Sequence, residues 1–417
     1  MWKVVAILFS LFTTQFSFAF FVHPIFQHKI AQTSRRYYNR STLRLNECDI
    51  SEVERIYCIS DLHTDNVQNL QWLTESCNSP HAPKEKDCLL IAGDISHDYK
   101  ILEKTLSIIT ESLSCHVIFV WGNHEAWCGK NMTSSLEKIS SVKKICQKYP
   151  KVHTDFQLVG TDHSNPVVVV PIESWYDGSL SLPECEDLCD NFQNWPWVDF
   201  IRCHWPSETE LMKDTEILPS RKRHENLGKI PIGLTEWFHY QNEKDLAKVR
   251  SQFEHSEGEL GLITMTHFLP NQKTLPDWKV PSSSDFRRDE WLDHPVPDIS
   301  AKFAKVAGSD LIDFQIRSII NKQEKDKDIK HLHVFGHSHR PKDFVHENIR
   351  YIHNPVGKPV EREMNMIPND VDFQLIWDCR SGEVRGRTIF RYWEDYGGGK
   401  ELLAKNMQRR KRKRMKR

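Results

Sequence analysis

The sequence predicts an α/β fold built around a parallel sheet, and three observations carry that prediction. A short apolar run, a loop bearing Asp or His, and a stretch with helical spacing follow one another three times between residues 55 and 149, the pattern of βαβ units. Each loop starts where its apolar run ends, which is the edge at which open α/β sheets bind ligands. The 417 residues are 39% apolar and 27% charged, a soluble and globular composition with ample length for a core. That length allows two or three domains, or one large α/β domain with insertions.

In order along the chain, residues 55–59 are the first expected strand and 66–77 the first helix, spaced through Leu70 and Leu73. Residues 88–92 are a second buried strand. The next helix, 101–113, has its apolar residues at 101, 102, 106, 109 and 113. A third strand, 116–121, and a helix, 134–149, complete the repeats. Strands are expected at 152–159 and 167–172. The pattern then breaks from 173 to about 258, a stretch rich in Trp, Pro and charge that reads as an insertion, either a lid or a packed excursion. Within it Trp175 and Tyr176 are the candidates for substrate contact. Beyond it follow a strand at 260–266, an irregular stretch at 270–297, a helix at 304–320 and a strand at 331–335. Late strands at 349–353, 373–377 and 384–390 are expected to complete a second sheet.

Gly397 to Gly399 read as a hinge, after which residues 405–417 hold nine Lys or Arg and no Asp or Glu. Such a tail can be a solvated end, a nuclear address, or a binder of nucleic acid or anionic surfaces. It has no interleaved aromatics, so a solvated end is expected, with nucleic acid as a further partner to consider. The whole chain carries a formal net charge of −1, so no global field selects a partner. The eleven cysteines are odd in number and lack a CxxC, which suits a reducing compartment, with Cys185 and Cys189 as a local exception.

The first 47 residues read as targeting. Lys3 precedes an apolar run too short for a confident membrane span, and Ser17-Phe18-Ala19 offers small residues at a cleavage site before Phe20. Residues 22–45 are basic, bear Ser and Thr and have no acid. The whole resembles the bipartite plastid presequence of algae with secondary plastids. Plain secretion is the alternative, with glycosylation sequons at Asn39 and Asn131. No other segment is apolar enough to span a membrane.

Five short runs carry the chemistry: Ser60-Asp61-Leu62-His63, Gly93-Asp94, Gly122-Asn123-His124-Glu125, His267, and Gly336-His337-Ser338-His339. They supply Asp61, His63, Asp94, Asn123, His267, His337 and His339, seven oxygen and nitrogen ligands without a thiolate. That set suffices for two adjacent divalent cations sharing one carboxylate, an arrangement suited to hydrolysing phosphate esters or anhydrides. The set suits Mn, Fe, Zn or Mg.

The order and spacing of these runs resemble the calcineurin-like metallophosphoesterase superfamily, whose pattern is D-x-H, GD, GNH[ED], a lone H and GHxH. The resemblance covers roughly residues 54–390 outside the insertion. It implies a four-layer α/β/β/α sandwich of two mixed sheets, with a metallophosphoesterase domain over 48–396. It also implies that Asp61, His63 and His339 hold one metal, that Asn123, His267 and His337 hold the other, and that Asp94 bridges them. His124 then faces the substrate, to bind the phosphoryl group or protonate the leaving oxygen as a metal-bridging hydroxide attacks. The implied substrate is a small molecule carrying a phosphomonoester, phosphodiester or phosphoanhydride. A phosphodiesterase or nuclease, or a non-catalytic scaffold, are the alternatives. The chain departs from the protein Ser/Thr phosphatases, whose second motif extends to GDxVDRG. Here it reads Gly93-Asp-Ile-Ser-His-Asp98, without the phosphate-gripping arginine. Arg340 is a candidate replacement or a plain surface charge. His97, His204, His331 and His333 fit no ligand slot.

Overall fold

The computed structural model describes residues 49–415 apart from 130–131, 133, 191, 212–232, 257–259 and 321–328. The targeting segment and both sequon asparagines lie outside the described residues. Strands β1 (Arg55–Ile59), β2 (Asp87–Ala92) and β3 (His116–Val120) form where the sequence places them, connected by α1 (Val67–Cys77) and α2 (Tyr99–Leu113). Alternate residues of each strand enter different cores, as the two-residue strand period requires. Ile56, Cys58, Cys88, Leu90, Ile118 and Val120 belong to one buried cluster, and Tyr57, Ile59, Leu89, Ile91, Val117 and Phe119 to another. Helix α2 starts at Asp98, whose carboxylate accepts the backbone N–H of Lys100 and Ile101 at 2.8 and 3.2 Å. It buries Leu102, Leu106, Ile109 and Leu113, each worth roughly 1.5–3 kcal/mol.

Three further strands, β4 (Val152–His153), β11 (Gln374–Asp378) and β12 (Gly382–Glu383), complete the first sheet. Its order is β12-β11-β1-β2-β3-β4. Its members from β1 to β4 are parallel, and β11 joins β1 antiparallel. The second sheet is built from β5 (Gln157–Val159), β6 (Val167–Pro171), β7 (Gly261–Met265), β8 (His331–Val334), β9 (Lys342–His346) and β10 (Ile349–His353). It runs β5-β6-β7-β8-β10-β9. Residues from both sheets (Cys58, Leu90 and Ile118 with Val169, Ile263 and Val334) share one buried cluster. The opposite faces of the strands share a cluster with helices that include α3 (Ser135–Cys146) and α4 (Leu234–His255). Two mixed six-stranded sheets with helices are the architecture the motifs implied.

Three strand expectations are corrected, and one strand is additional to them. The single strand at 152–159 is two strands in different sheets, because the chain crosses between them at exposed Asp155. The strand at 374–378 extends the first sheet, with Ile376 and Trp377 filling the space between sheets. Residues 384–390 are not a strand. Exposed Arg385 and Arg387 interrupt the run, and only Ile389 bridges to Asp343. Strand β9 escapes the sequence pattern because its first residues are charged. Lys342 is nevertheless buried, donating to the carbonyls of Trp278 and Phe390 at 2.9 and 2.8 Å.

The helix expected at 304–320 is also broken, into α5 (Pro297–Ala307) and α6 (Asp310–Arg317). The cause is Gly308, whose backbone bridges to Leu269. A Cβ there would overlap the Leu269 carbonyl. Gly308→Ala is therefore expected to cost at least about 1–3 kcal/mol, read as a lower urea midpoint. An unchanged midpoint would show that the contact is slack.

The described parts of the insertion are packed into the body. Helix α4 buries Leu246, Val249 and Phe253, and Trp175 and Tyr176 are 0% exposed. Burial removes these two aromatics from direct substrate contact, so that expectation fails. The basic tail is not an unstructured end. After three glycines at positive φ, Lys400–Met415 forms helix α7, anchored by buried Leu403 against Met366, Tyr392 and Trp393. Its Lys, Arg, Gln, Leu and Ala content favours a helix. All ten described cysteines are free thiols, Cys185 and Cys189 among them.

Candidate metal centre

Every expected ligand follows the carboxyl end of a strand. Asp61 and His63 follow β1, Asp94 follows β2, Asn123 and His124 follow β3, His267 follows β7, and His337 and His339 follow β8. The first three strands belong to one sheet and the last two to the other, so the site lies where the ends of both sheets meet. All eight side chains are buried.

The loops that carry them are strained. Asp61, His63, Asp94, His337 and His339 have φ of 53°, 43°, 58°, 72° and 51°, a region side chains other than glycine seldom adopt. Each such residue costs about 1–3 kcal/mol. Backbone bonds between loops hold them there: Asp61 N–H donates to the Gly93 carbonyl at 3.0 Å, His63 N–H to the Asp94 carbonyl at 2.9 Å, and Gly336 N–H to the His267 carbonyl at 2.9 Å. Glu125, buried and given no role by the motif reading, accepts the backbone N–H groups of Asp94, Ser96 and Gly122 at 3.0, 3.0 and 2.8 Å. It ties two ligand loops together, and burial pushes its carboxyl up to about 7. Gly93, at φ 82°, is required twice over, because a Cβ would strike the His267 ring.

Two groups of donors form around Asp94. In the first, one ligand atom each of Asp61, His63, Asp94 and His339 lie within 4.8 Å of one another. The Nε2 atoms of His63 and His339 face each other at 2.8 Å, and His339 Nε2 lies 3.3 Å from Asp61 Oδ1. His339 is aimed by its Nδ1–H, which donates to Glu361 at 2.8 Å. Burial lowers the His339 pKa, but Glu361 and Asp61 outweigh it and raise it to about 9. Asp61 Oδ2 accepts from Ser60 Oγ and His353 Nε2 at 2.6 and 3.1 Å.

In the second group, His267 Nε2 and His337 Nδ1 lie 3.0 and 3.1 Å from Asn123 Oδ1. Their other nitrogens are engaged. His267 Nδ1–H donates to the Ala92 carbonyl at 2.9 Å, and His337 Nε2–H to the Val306 carbonyl at 3.1 Å. Burial keeps both rings neutral, moving His267 down to about 4 and His337 well below its usual value. The facing nitrogens are therefore lone-pair acceptors, and so is the amide oxygen between them. Three converging lone pairs repel one another unless a cation sits among them, so the donor set fits a metal ion. Second contacts that fix imidazole tautomers are typical of metal ligands.

Asp94 serves both groups. Its Oδ1 is 3.3 Å from His267 Nε2, and its Oδ2 is 3.8 Å from His63 Nε2. Burial and the Glu125 charge push its carboxyl well above the usual range, a cost that neighbouring divalent cations would offset. A profile of calcineurin-like phosphoesterases matches residues 54–341. The chain belongs to this family. Among solved structures, phosphopantetheinyl hydrolase (PptH) from Mycobacterium tuberculosis is similar at 17% identity and a TM-score of 0.50, over 78% of this chain and 97% of that one. TT1561 of Thermus thermophilus is similar at 12% identity and a TM-score of 0.34, over 73% and 89%. The first likeness shows a shared fold, and substrate does not transfer at that identity. No curated protein sequence matches the chain. This phosphoesterase family member thus carries a buried Asp/His cluster able to bind divalent metal.

His124 stands beside Asp94 rather than in either donor group. Its Nε2 is 3.7 Å from Asp94 Oδ2, and its ring stacks on Trp127 with centroids 3.6 Å apart. His97 lies half-buried against the same two rings. Arg340 is not free: Asp293 binds it at 3.1 Å and Trp393 stacks beneath it. His331 and His333 are ordinary buried histidines bonded to Thr264 and Thr266. No helix among the described residues is long and apolar enough to cross a membrane.

Proposed function

We propose that this chain is a dinuclear-metal phosphohydrolase that cleaves a phosphomonoester, phosphodiester or phosphoanhydride. The observation that carries the reading is the position of Asp94, with one oxygen toward each of two separate donor groups. On this reading Asp61, His63 and His339 hold one cation, and Asn123, His267 and His337 the other. Bound there, the pair would supply Lewis acidity and a water acidified toward neutral pH. The chain's own contribution is to bring charge and shape to the phosphoryl group. His124, propped against Trp127, is placed to donate to a phosphoryl or leaving oxygen. Arg202 of the insertion lies over Trp127, 5.0 Å from its centroid, and adds positive charge on that side. Half-buried Trp197 and Phe303 flank His337, with ring centroids 6.2 and 5.6 Å away. They form an aromatic wall suited to a flat or apolar group on the substrate.

The test is hydrolysis of p-nitrophenyl phosphate and of its bis ester by the chain with added Mn2+. Turnover that chelation abolishes and Mn2+ restores is expected on at least one of them. Folded, metal-loaded protein that turns over neither would point to a binding scaffold. Activity on the diester alone would favour the phosphodiesterase reading, which exposed basic helix α7 also suits.

A further inference from the structure

The Trp-rich insertion supplies one carboxylate that reaches the site from beneath. Asp199 is 1% exposed, and four donors converge on it. Its Oδ1 accepts from Asn123 Nδ2 at 2.9 Å and Trp127 Nε1 at 2.6 Å. Its Oδ2 accepts from the Tyr176 hydroxyl at 3.2 Å and Trp197 Nε1 at 3.0 Å. The buried Tyr176 and Trp127, with half-buried Trp197, thus serve as a cradle that fixes this carboxylate in place.

The consequence falls on Asn123. A side-chain amide has two orientations of nearly the same shape, and its hydrogen-bond partners decide between them. With Oδ1 toward His267 and His337, three acceptors meet and a cation is needed. With the amide flipped, its NH2 group would donate to both imidazole nitrogens, at 3.0 and 3.1 Å. That state is satisfied without a cation and blocks one. Asp199 is a carboxylate and can only accept, so a flipped Asn123 would set its oxygen against Asp199 Oδ1 across 2.9 Å. Two buried acceptors left facing each other keep their full desolvation penalty with no hydrogen bond to offset it, which disfavours the flipped state.

We propose that Asp199 is a positioning residue for the metal centre: it holds the Asn123 oxygen toward His267 and His337 and excludes the flipped amide that would fill the site without a cation. The proposal rests on the two-metal reading above. It also gives the insertion a role in the site, because the same short segment places Trp197 beside His337.

Calorimetric titration of the metal-free full chain with Mn2+ tests it. Wild type is expected to show two binding steps, one removed by His267→Ala and the other by His63→Ala. Asp199→Ala should weaken the His267-dependent step about 10- to 100-fold and leave the other within about threefold. Asp199→Asn can turn either an oxygen or an NH2 group toward Asn123, so it no longer excludes the flip. It should weaken the His267-dependent step, by less than Asp199→Ala does, while leaving the other step within about threefold. If Asp199→Ala does not fold, Asp199→Glu replaces it, with the charge kept and the oxygen displaced, and the same one-step loss is expected. Native affinity in both steps for Asp199→Ala or its Glu replacement, or equal weakening of both, overturns the positioning role. A wild type that binds fewer than two Mn2+ ions removes the two-metal reading instead.

Discussion

Asp94→Asn should reduce kcat/KM by at least about 10³-fold and leave the purified protein with fewer than two metal ions. The substitution is clean in structural terms. Asp94 sits at φ 58°, and Asn is one of the few residues that accept this left-handed backbone. Its main-chain N–H still donates to Glu125, and its size is unchanged. What goes, on the two-metal reading, is the negative charge that two bound cations would share. The amide must also turn an NH2 group toward one donor group, so it cannot serve both with an acceptor. Metal content after gel filtration and initial rates on p-nitrophenyl phosphate measure the two effects. Two retained ions with native turnover would falsify the bridging role of Asp94.

The contrast between what the sequence discloses and what it hides follows from distance along the chain. Asp61 with His63, and His337 with His339, are legible because each pair sits in a tight loop just after an apolar strand, and local spacing encodes both strand and loop. The groups that aim those ligands are not local. Glu361 lies 22 residues beyond His339, and Asp199 lies 76 beyond Asn123. An acid in a Trp-rich stretch carries no signal until the fold encloses it. Glu125 is in plain view inside its motif, yet two of its three backbone bonds need the Gly93–Ser96 loop beside it. The same reasoning covers the strands. Parallel β1, β2 and β3 are readable from βαβ order, whereas β11 enters the first sheet from the far end of the chain. Its apolar residues could have been buried in either sheet, and only pairing with β1 decides. Trp175 and Tyr176 mislead for a related reason. Aromatic content marks both substrate walls and cores, and here Tyr176 is buried with its hydroxyl on Asp199.

His124→Ala should separate metal binding from chemistry. The bond that His124 makes to Asp94 Oδ1 comes from its main-chain N–H at 3.0 Å and survives the substitution. None of the converging lone pairs around Asn123 or His339 belongs to the His124 ring, so both Mn2+ binding steps should persist. Loss of the stack on Trp127 costs about 0.5–1.5 kcal/mol, too little to unfold a domain of this size. The rate should nevertheless fall about 10²- to 10⁴-fold, the usual contribution of a positioned acid, with KM changed far less. Leaving groups then distinguish its two roles. If the ring protonates the departing oxygen, phenyl phosphate should suffer more than p-nitrophenyl phosphate, whose leaving oxygen needs little help. An equal drop on both would assign the ring to phosphoryl binding alone. Full activity on both would leave His124 without a part in the reaction, and would move the search for a proton donor to half-buried His97 beside it.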